Sequence, residues 1–332
     1  MLNRLLRLLP RVRALEKDNR RLQGRVVDLE RAHATQAEEL ARQQREFQRR
    51  TTETEFWNGE FPPGHFYSPL PSRDEVAEAF ARGGFGPPFP GLDLNEAGQF
   101  ERLQRFAEFY RDQPFPEQPT PGRRFHLDNP SYGHYDAIML YCMLRESQSQ
   151  QVIEVGSGFS SAAMLDANDH AFGGRIRFTF IDPDMARLRP LLQPDDAARA
   201  TLIERRVQEV PLETFATLKA GDVLFIDSSH VSKIGSDVNR LFFDVLPVLA
   251  PGVLIHIHDV SGNLEYPRDW FDAGRAWNEM YLLRAFLMHN RDYRIELFTA
   301  WLCNQRHAFM RDHLPLCARG GGGQMWLRKL AR

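Results

Sequence analysis

Residues 151–166 read Gln-Val-Ile-Glu-Val-Gly-Ser-Gly-Phe-Ser-Ser-Ala-Ala-Met-Leu-Asp: an apolar strand carrying Glu154, a turn of Gly156, Ser157 and Gly158, and the opening of a helix. Glycines between strand and helix let the backbone pass close to a ligand, and the free N–H groups of the new helix face whatever negative group sits there. One strand–helix unit later, Ile181-Asp182-Pro183-Asp184 supplies a second acidic turn. The pair points to a nucleotide-type ligand. An ordinary dinucleotide is disfavoured, because Ser161 replaces the third glycine of G-x-G-x-x-G and Glu154 stands two residues before the first.

A carboxylate at Glu154 repels a pyrophosphate but suits an ammonium or sulfonium group, and S-adenosylmethionine carries both. Glu154-Val-Gly-Ser-Gly158 followed by Asp182 resembles the nucleotide loop of class I S-adenosylmethionine-dependent methyltransferases. The resemblance runs from about Asn129 to the C-terminus. The stretches 222–239 (D-V-L-F-I-D-S-S-H-V-S-K-I-G-S-D-V-N) and 253–260 (V-L-I-H-I-H-D-V) are similar to one bacterial branch, itself similar to the cation-dependent O-methyltransferases.

Around this centre, helical and strand patterns alternate: strands over 151–155, 177–181, 201–205, 222–226, 252–257, 294–299 and 324–328, with helices over 135–145, 160–168, 183–192, 235–249 and about 271–288. Such alternation predicts an α/β domain, a Rossmann-like, mostly parallel seven-stranded sheet with helices on both faces. The resemblance implies that the last strand runs antiparallel beside the sixth. Gly320–Gly323 read as a flexible turn before it.

The preceding segments divide in two. From Leu5 a heptad runs through Leu5, Val12, Asn19, Val26, His33, Leu40 and Phe47 at one position, and through Leu8, Leu15, Leu22, Leu29, Gln36 and Gln43 at the other. Val and Asn opposite Leu favour a parallel two-stranded coil, so a homodimer through residues 11–48 is expected. A single amphipathic helix and a trimer are the alternatives. Residues 61–92 are dense in Pro and Gly and form a connector broken by a helix near 73–82, and a helix follows at 95–111. The division expected is a coiled-coil oligomerisation helix at 1–50, a connector with accessory helices at 51–128, and the methyltransferase domain at 129–332.

Composition narrows the partners. The net charge of −2 hides an arm, residues 1–50, with thirteen Lys and Arg against seven Asp and Glu, which leaves −8 for the remainder. An acidic catalytic part argues against a nucleic-acid substrate. Whether the basic arm touches an anionic membrane or other surface, or is a solvated helix face, stays open. Cys142, Cys303 and Cys317 have no C-x-x-C spacing, and no apolar run approaches a transmembrane span, so a cytoplasmic protein is expected.

In open α/β sheets ligands bind beyond the carboxyl ends of the strands, where Glu154, Asp182, Asp227 and the pair His258-Asp259 fall. The expected cofactor set is Glu154 near the ammonium group, Gly156, Ser157 and Gly158 along the methionine portion, Asp182 on the ribose hydroxyls, and Asp227. Asp184 is the fallback for Asp182, and Gln208 a neighbour of the adenine. Methyl transfer to an alcohol also requires a departing proton, and His, titrating near about 6.5, suits that task. His230 is the expected general base. The likeness to the cation-dependent enzymes makes Asp227, His258 and Asp259 candidate ligands for a divalent cation, although an imidazole departs from the all-oxygen shell that magnesium prefers. Metal-assisted and metal-free chemistry both stay open. Lys233, Asp237, Asn239, Tyr132, Tyr135, Asp136, Trp270, Trp277 and Tyr281 are candidates for lining the acceptor pocket, and the acceptor expected is a small polar hydroxyl compound such as a sugar or glycan precursor. The non-enzymatic alternative is a coiled-coil scaffold with a cofactor-binding but non-catalytic domain.

Overall fold

The computed structural model describes residues 2–319 and 322–331, without the side chains of residues 2–11, 13, 57 and 58. The chain divides into two compact units, residues 1–75 and 76–332. The first is dominated by α1 (Leu2–Asn58), a single helix of 57 residues. It runs past the expected limit of 50 because residues 51–58 hold no Gly or Pro to stop it. Its heptad residues are solvent-exposed in the single chain, Leu15 to 69% and Phe47 to 73%. Leu5 and Leu8 of the heptad lie outside the described side chains.

The second unit is built on a seven-stranded sheet of order β3-β2-β1-β4-β5-β7-β6. Its strands are β1 (Gln151–Val155), β2 (Arg177–Ile181), β3 (Ala200–Ile203), β4 (Val223–Ile226), β5 (Leu254–His258), β6 (Tyr293–Phe298) and β7 (Gln324–Lys329). β1 to β5 pair in parallel, and β7 is antiparallel to both β5 and β6. The helices are α2 (Arg73–Arg82), which straddles the division, α3 (Glu96–Tyr110), α4 (His134–Ser147), α5 (Phe159–Phe172), α6 (Leu212–Phe215), α7 (Asp237–Arg240), α8 (Leu246–Val248), α9 (Arg268–Asp272), α10 (Glu279–Leu287), α11 (Thr299–Gln305) and α12 (His307–His313). Every residue of β4 and β5 is buried, and four of five in β1, as expected of central strands covered on both faces.

Several expected helices differ for local reasons. The stretch 183–192 forms only a short 3-10 turn at Arg189–Leu191, because the Asp182 and Asp184 carboxylates take the N–H groups of Asp184 and Ala186. The helix expected at 271–288 is split: α9 ends at Asp272, Gly274 adopts φ +80°, and α10 starts at Glu279. The helix expected at 235–249 starts at Asp237 behind a Ser236 cap and widens into a π-turn over Leu241–Val245. The helices α11 and α12 were not expected. Gly320 and Gly321 of the glycine turn lie outside the described residues; Gly323 N donates to Asp136 Oδ1 at 3.0 Å, which ties the entry of β7 to α4.

The strand order reverses beside β1, which places β1 and β4 at the switch where such sheets open a crevice. Asp227 N donates to Val155 O and Gly156 N to Ile181 O, so the loops after β1 and β4 leave the sheet side by side.

Candidate active site

The turn after β1 is shaped by close approach. Gly156 has φ +87°, and a Cβ there would stand 1.8 Å from the carbonyl oxygen of Asp227. No other residue fits without moving a strand end. Ser157 N then donates to Asp182 Oδ2 at 2.9 Å, and Gly158 N to Ser161 Oγ at 3.0 Å. Ser161, the residue that breaks the dinucleotide pattern, therefore caps the turn from inside α5.

Glu154 lies under this turn instead of facing the ligand space. It is wholly buried, and its two oxygens accept the hydroxyls of Ser160 and Ser161. Burial pushes its pKa up to about 8 against those two bonds, with help from the Asp227 and Asp182 charges. It is not among the residues lining the cavity, and its contacts anchor the start of α5. The reason is the pleat: Glu154 and Val155 point to opposite faces, and the face of Glu154 is covered by α5.

The cavity itself, about 850 Å³, is bounded by Gly156, Ser157, Gly158, Asp182, Gln208, Asp227, His230, His258 and Asp259, and extends to Lys233, Asp237, Trp270, Arg275 and Trp277. That volume is in the upper range for small-molecule sites. Asp182 uses Oδ2 for Ser157 N and Oδ1 for Asp184 N, at 2.9 and 2.8 Å, which leaves each oxygen a free lone pair. Asp184 is not part of the wall. Ser157 Oγ is buried beside the cavity without a partner. Gln208 Nε2 donates to Gly235 O at 2.9 Å, holding two loops of the wall together.

The chemical centre gathers at the ends of β4 and β5. His230 Nε2 stands 3.3 Å from Asp227 Oδ1 and 3.3 Å from Asp259 Oδ2, and its Nδ1 is 2.9 Å from Glu279 Oε2. His230 and Asp259 both adopt left-handed backbone, φ +60° and +57°. Non-glycine residues held there carry strain that surrounding contacts must maintain. Those contacts are present: His230 O accepts Asn278 N and Glu279 N, and His230 N donates to Ser228 Oγ. Burial alone would lower the pKa of His230, but hydrogen bonds and charge from Asp227 and Glu279 outweigh it and raise it to about 10. Asp227 is held below the usual carboxylate range: burial pushes it upward, and His258 and His230 together push harder the other way.

Among the described residues, the donor atoms that come within 4.8 Å of one another belong to Asp227, His230 and Asp259. His258, expected as the third ligand, is not in that group. It ends β5 on the same face as the buried His256, its ring 5.6 Å from that ring and 5.4 Å from Tyr132, with Nε2 3.8 Å from Asp259 Oδ1. The strand period places His258 on the His256 face at the edge of the cavity, and the left-handed turn at Asp259 brings the next side chain to His230. The donor set fits a divalent cation. Ligands about 2.1 Å from a metal at octahedral to tetrahedral angles stand about 3.0–3.4 Å apart, and the His230 to carboxylate separations match that spacing. Glu279 on the far ring nitrogen supplies the outer contact usual for a metal-binding imidazole.

Of the other pocket candidates, Tyr132, Lys233, Asp237, Trp270 and Trp277 line the cavity. Asn239, Tyr135, Asp136 and Tyr281 do not, because their polar atoms are engaged with Ser232, Thr299, Gln324 and Glu265 respectively. Nothing in the local sequence marks Glu279, which stands in Trp-Asn-Glu-Met at the start of a helix, or Arg275. A buried acid at a helix start is the one signal that would have marked Glu279, and burial is not readable from one chain.

A methyltransferase-domain family model matches residues 153–260, from β1 through the Asp259 turn. The match identifies a methyltransferase domain in this stretch, within a Rossmann-like sheet of order 3-2-1-4-5-7-6 whose β7 is antiparallel. A protein of Archaeoglobus fulgidus described as uncharacterized is 30% identical over 167 residues, 48% of this chain and 74% of that one. A crystal structure of a putative O-methyltransferase from Klebsiella pneumoniae aligns at 14% identity over 69% of this chain and 90% of its own, with a TM-score of 0.39. The O-methyltransferase TomG from Streptomyces achromogenes, solved with SAM, aligns at 17% identity over 70% of this chain and 90% of its own, with a TM-score of 0.39. At such scores the structural likenesses carry no weight for the site, which rests on its own geometry.

Proposed function

We propose that the chain moves the methyl group of S-adenosylmethionine to a hydroxyl of a small polar acceptor such as a sugar or glycan precursor. The observation that carries this reading is the convergence of the Gly156–Gly158 turn, Asp182 and the Asp227–His230–Asp259 cluster on one cavity. The turn meets the methionine portion, the free lone pairs of Asp182 take the ribose hydroxyls, and the Asp227 carboxylate favours the positive end of the cofactor. Glu154 serves by holding the turn from beneath.

Transfer breaks the methyl–sulfur bond as the acceptor oxygen binds the methyl carbon, and the hydroxyl proton must leave. With a pKa raised to about 10, His230 is an imidazolium at neutral pH and has no lone pair to offer. Asp227, His230 and Asp259 would hold a divalent cation, which would supply positive charge against the two aspartates and Lewis acidity toward an acceptor hydroxyl. With its Nε2 proton released to solvent, His230 would offer that nitrogen either as the third donor of the cation site or as the acceptor of the hydroxyl proton. Glu279 holds Nδ1–H in both cases. An imidazole beside two carboxylates suits manganese, iron or zinc as well as magnesium.

Calorimetric titration with S-adenosylmethionine tests the cofactor assignment, with binding expected and no heat at millimolar ligand counting against it. Replacing His230 with Ala is expected to spare that binding while lowering turnover. Turnover equal to wild type would remove His230 from the chemistry. Cofactor binding without turnover on any hydroxyl acceptor would favour the scaffold reading instead.

The heptad residues exposed along α1 support a second copy of this chain as its partner, giving a homodimeric coiled coil over residues 11–48 within a 1–50 oligomerisation segment. Cys142, Cys303 and Cys317 are all free, and no described helix is long and apolar enough to cross a membrane; we take the cytoplasm as the compartment on that basis.

A further inference from the structure

Trp270, Arg275 and Trp277 line the cavity on a wall whose chemistry differs from that of the strand ends. Trp270 and Trp277 meet edge to face with centroids 5.1 Å apart, and the Arg275 guanidinium lies 5.5 Å from the centroid of each. Among the described residues, Arg275 has no carboxylate partner. Two indoles hold a planar cation while leaving its in-plane N–H groups unused.

The position of this cation is fixed relative to the chemical centre. Trp277 also packs on His230, centroids 4.3 Å apart, so a single indole separates the guanidinium from the imidazole. Asn278 clamps the same segment to the loop after β4: Ser232 N donates to Asn278 Oδ1 at 2.6 Å, and Asn278 Nδ2 donates back to Ser232 O at 3.2 Å. That loop brings Lys233 to the wall, and its ammonium likewise has no acidic partner among the described residues.

The acids of the cavity do not compensate these two charges. Asp182 is taken up by backbone N–H groups, Asp237 by Ser229 and Val238, and Asp227 and Asp259 face His230. Of the two other cations of the wall, Arg206 is paired with Glu209, and Arg187 lies against Gly158, where its charge acts on Asp227. The cavity thus presents carboxylates at the strand ends and an uncompensated guanidinium one indole further out, with the Lys233 ammonium on the same wall.

We propose that Arg275, supported by Lys233, is a subsite for a carboxylate or phosphate group on the methyl acceptor, so that the acceptor is an anionic hydroxyl compound. The inference rests on the methyl-transfer reading for calling its ligand an acceptor, and the anion binding itself is measurable separately. A guanidinium matches a carboxylate or phosphate through two parallel N–H bonds, which an ammonium cannot reproduce.

The experiment titrates the full chain, saturated with S-adenosylhomocysteine, with inorganic phosphate while tryptophan fluorescence is followed. Glucuronate and glucose are then added as competitors. Expected are a saturable quench by phosphate, its reversal by glucuronate but not by glucose, and a loss of phosphate affinity of about tenfold or more in Arg275→Ala. Lys233→Ala weakens it less, Arg275→Lys falls between, and both Arg275 variants keep wild-type affinity for S-adenosylmethionine. No saturable quench, or equal phosphate affinity in wild type and Arg275→Ala, would overturn the subsite. Phosphate binding that glucuronate does not reverse, or that glucose reverses equally well, would overturn its assignment to an anionic acceptor. If phosphate binds through Arg275 while S-adenosylmethionine does not bind at all, the methyl-transfer reading fails and the anion subsite stands.

Discussion

Glu279 Oε2 accepts Nδ1–H of His230 at 2.9 Å, joining residues 49 positions apart in sequence. The carboxylate is almost fully buried and also accepts the Ser228 hydroxyl, so its orientation is constrained from two sides. It leaves His230 one orientation, with Nε2 turned to the gap between Asp227 and Asp259. Glu279 is thereby a positioning residue: it acts on the reaction through the ring it holds.

Replacing Glu279 with Ala releases that ring. Affinity for manganese, measured by calorimetry on the metal-free protein, is expected to fall about 10–100-fold, as for other outer-shell partners of a ligating histidine. Glu279→Gln keeps an acceptor and should recover part of the loss. A structural role alone would lower thermal stability in both variants while leaving metal affinity in place.

Chelation offers an independent check. Treatment with EDTA is expected to reduce turnover, and manganese to restore it, while S-adenosylmethionine still binds by calorimetry. Asp259→Asn should reproduce the chelated behaviour. Activity indifferent to EDTA would remove the cation from the reaction.

Gly156→Ala places a Cβ 1.8 Å from the Asp227 carbonyl oxygen at φ +87°. The β1 and β4 ends must then separate, which costs about 1–3 kcal/mol or more in strain. A lower melting temperature and the loss of S-adenosylmethionine binding are expected together. Wild-type values for both would show that this approach is not needed.

Acid should destabilise the second unit through Glu296. Burial works to raise its pKa, but Arg102, Arg294 and Arg328 surround the carboxylate and hold it at about 2, against an ordinary 4.5. A depressed folded-state pKa means stability that is present above pH 4.5 and is lost as pH falls through about 2. Glu296→Gln is expected to be destabilised at neutral pH by about 1–3 kcal/mol, since Arg102 loses its more buried carboxylate and keeps Glu146, and to lose less stability than wild type on acidification. Parallel acid titrations of the two proteins would refute this.

Truncation tests the coil. Sedimentation of the full chain should give twice the protomer mass, and removal of residues 1–50 should give one. Equal association states in the two proteins would remove the α1 dimer.

The fold was readable because its signals are local. The strand before Gly156 and the acids Asp182, Asp227 and Asp259 each follow an apolar run and so mark strand ends without knowledge of any contact. The helix at 183–192 was misread because its apolar spacing does not reveal that Asp182 and Asp184 take the N–H groups a helix would need. The single helix expected at 271–288 failed at Gly274, where a positive φ stops α9.

By itself the sequence determined the α/β architecture, the glycine turn after the first strand and the acids at the strand ends, because strand period and turn chemistry act over a few residues. Only the tertiary structure decided that His230 stands 3.3 Å from both Asp227 and Asp259 while His258 approaches only Asp259, at 3.8 Å, that Glu154 supports the turn from below, that Glu279 holds the His230 ring, and that Arg275 lines the cavity. The physical reason is that these placements depend on which face of a strand is covered and on two left-handed residues, His230 and Asp259, whose strain is held by contacts distant in the chain.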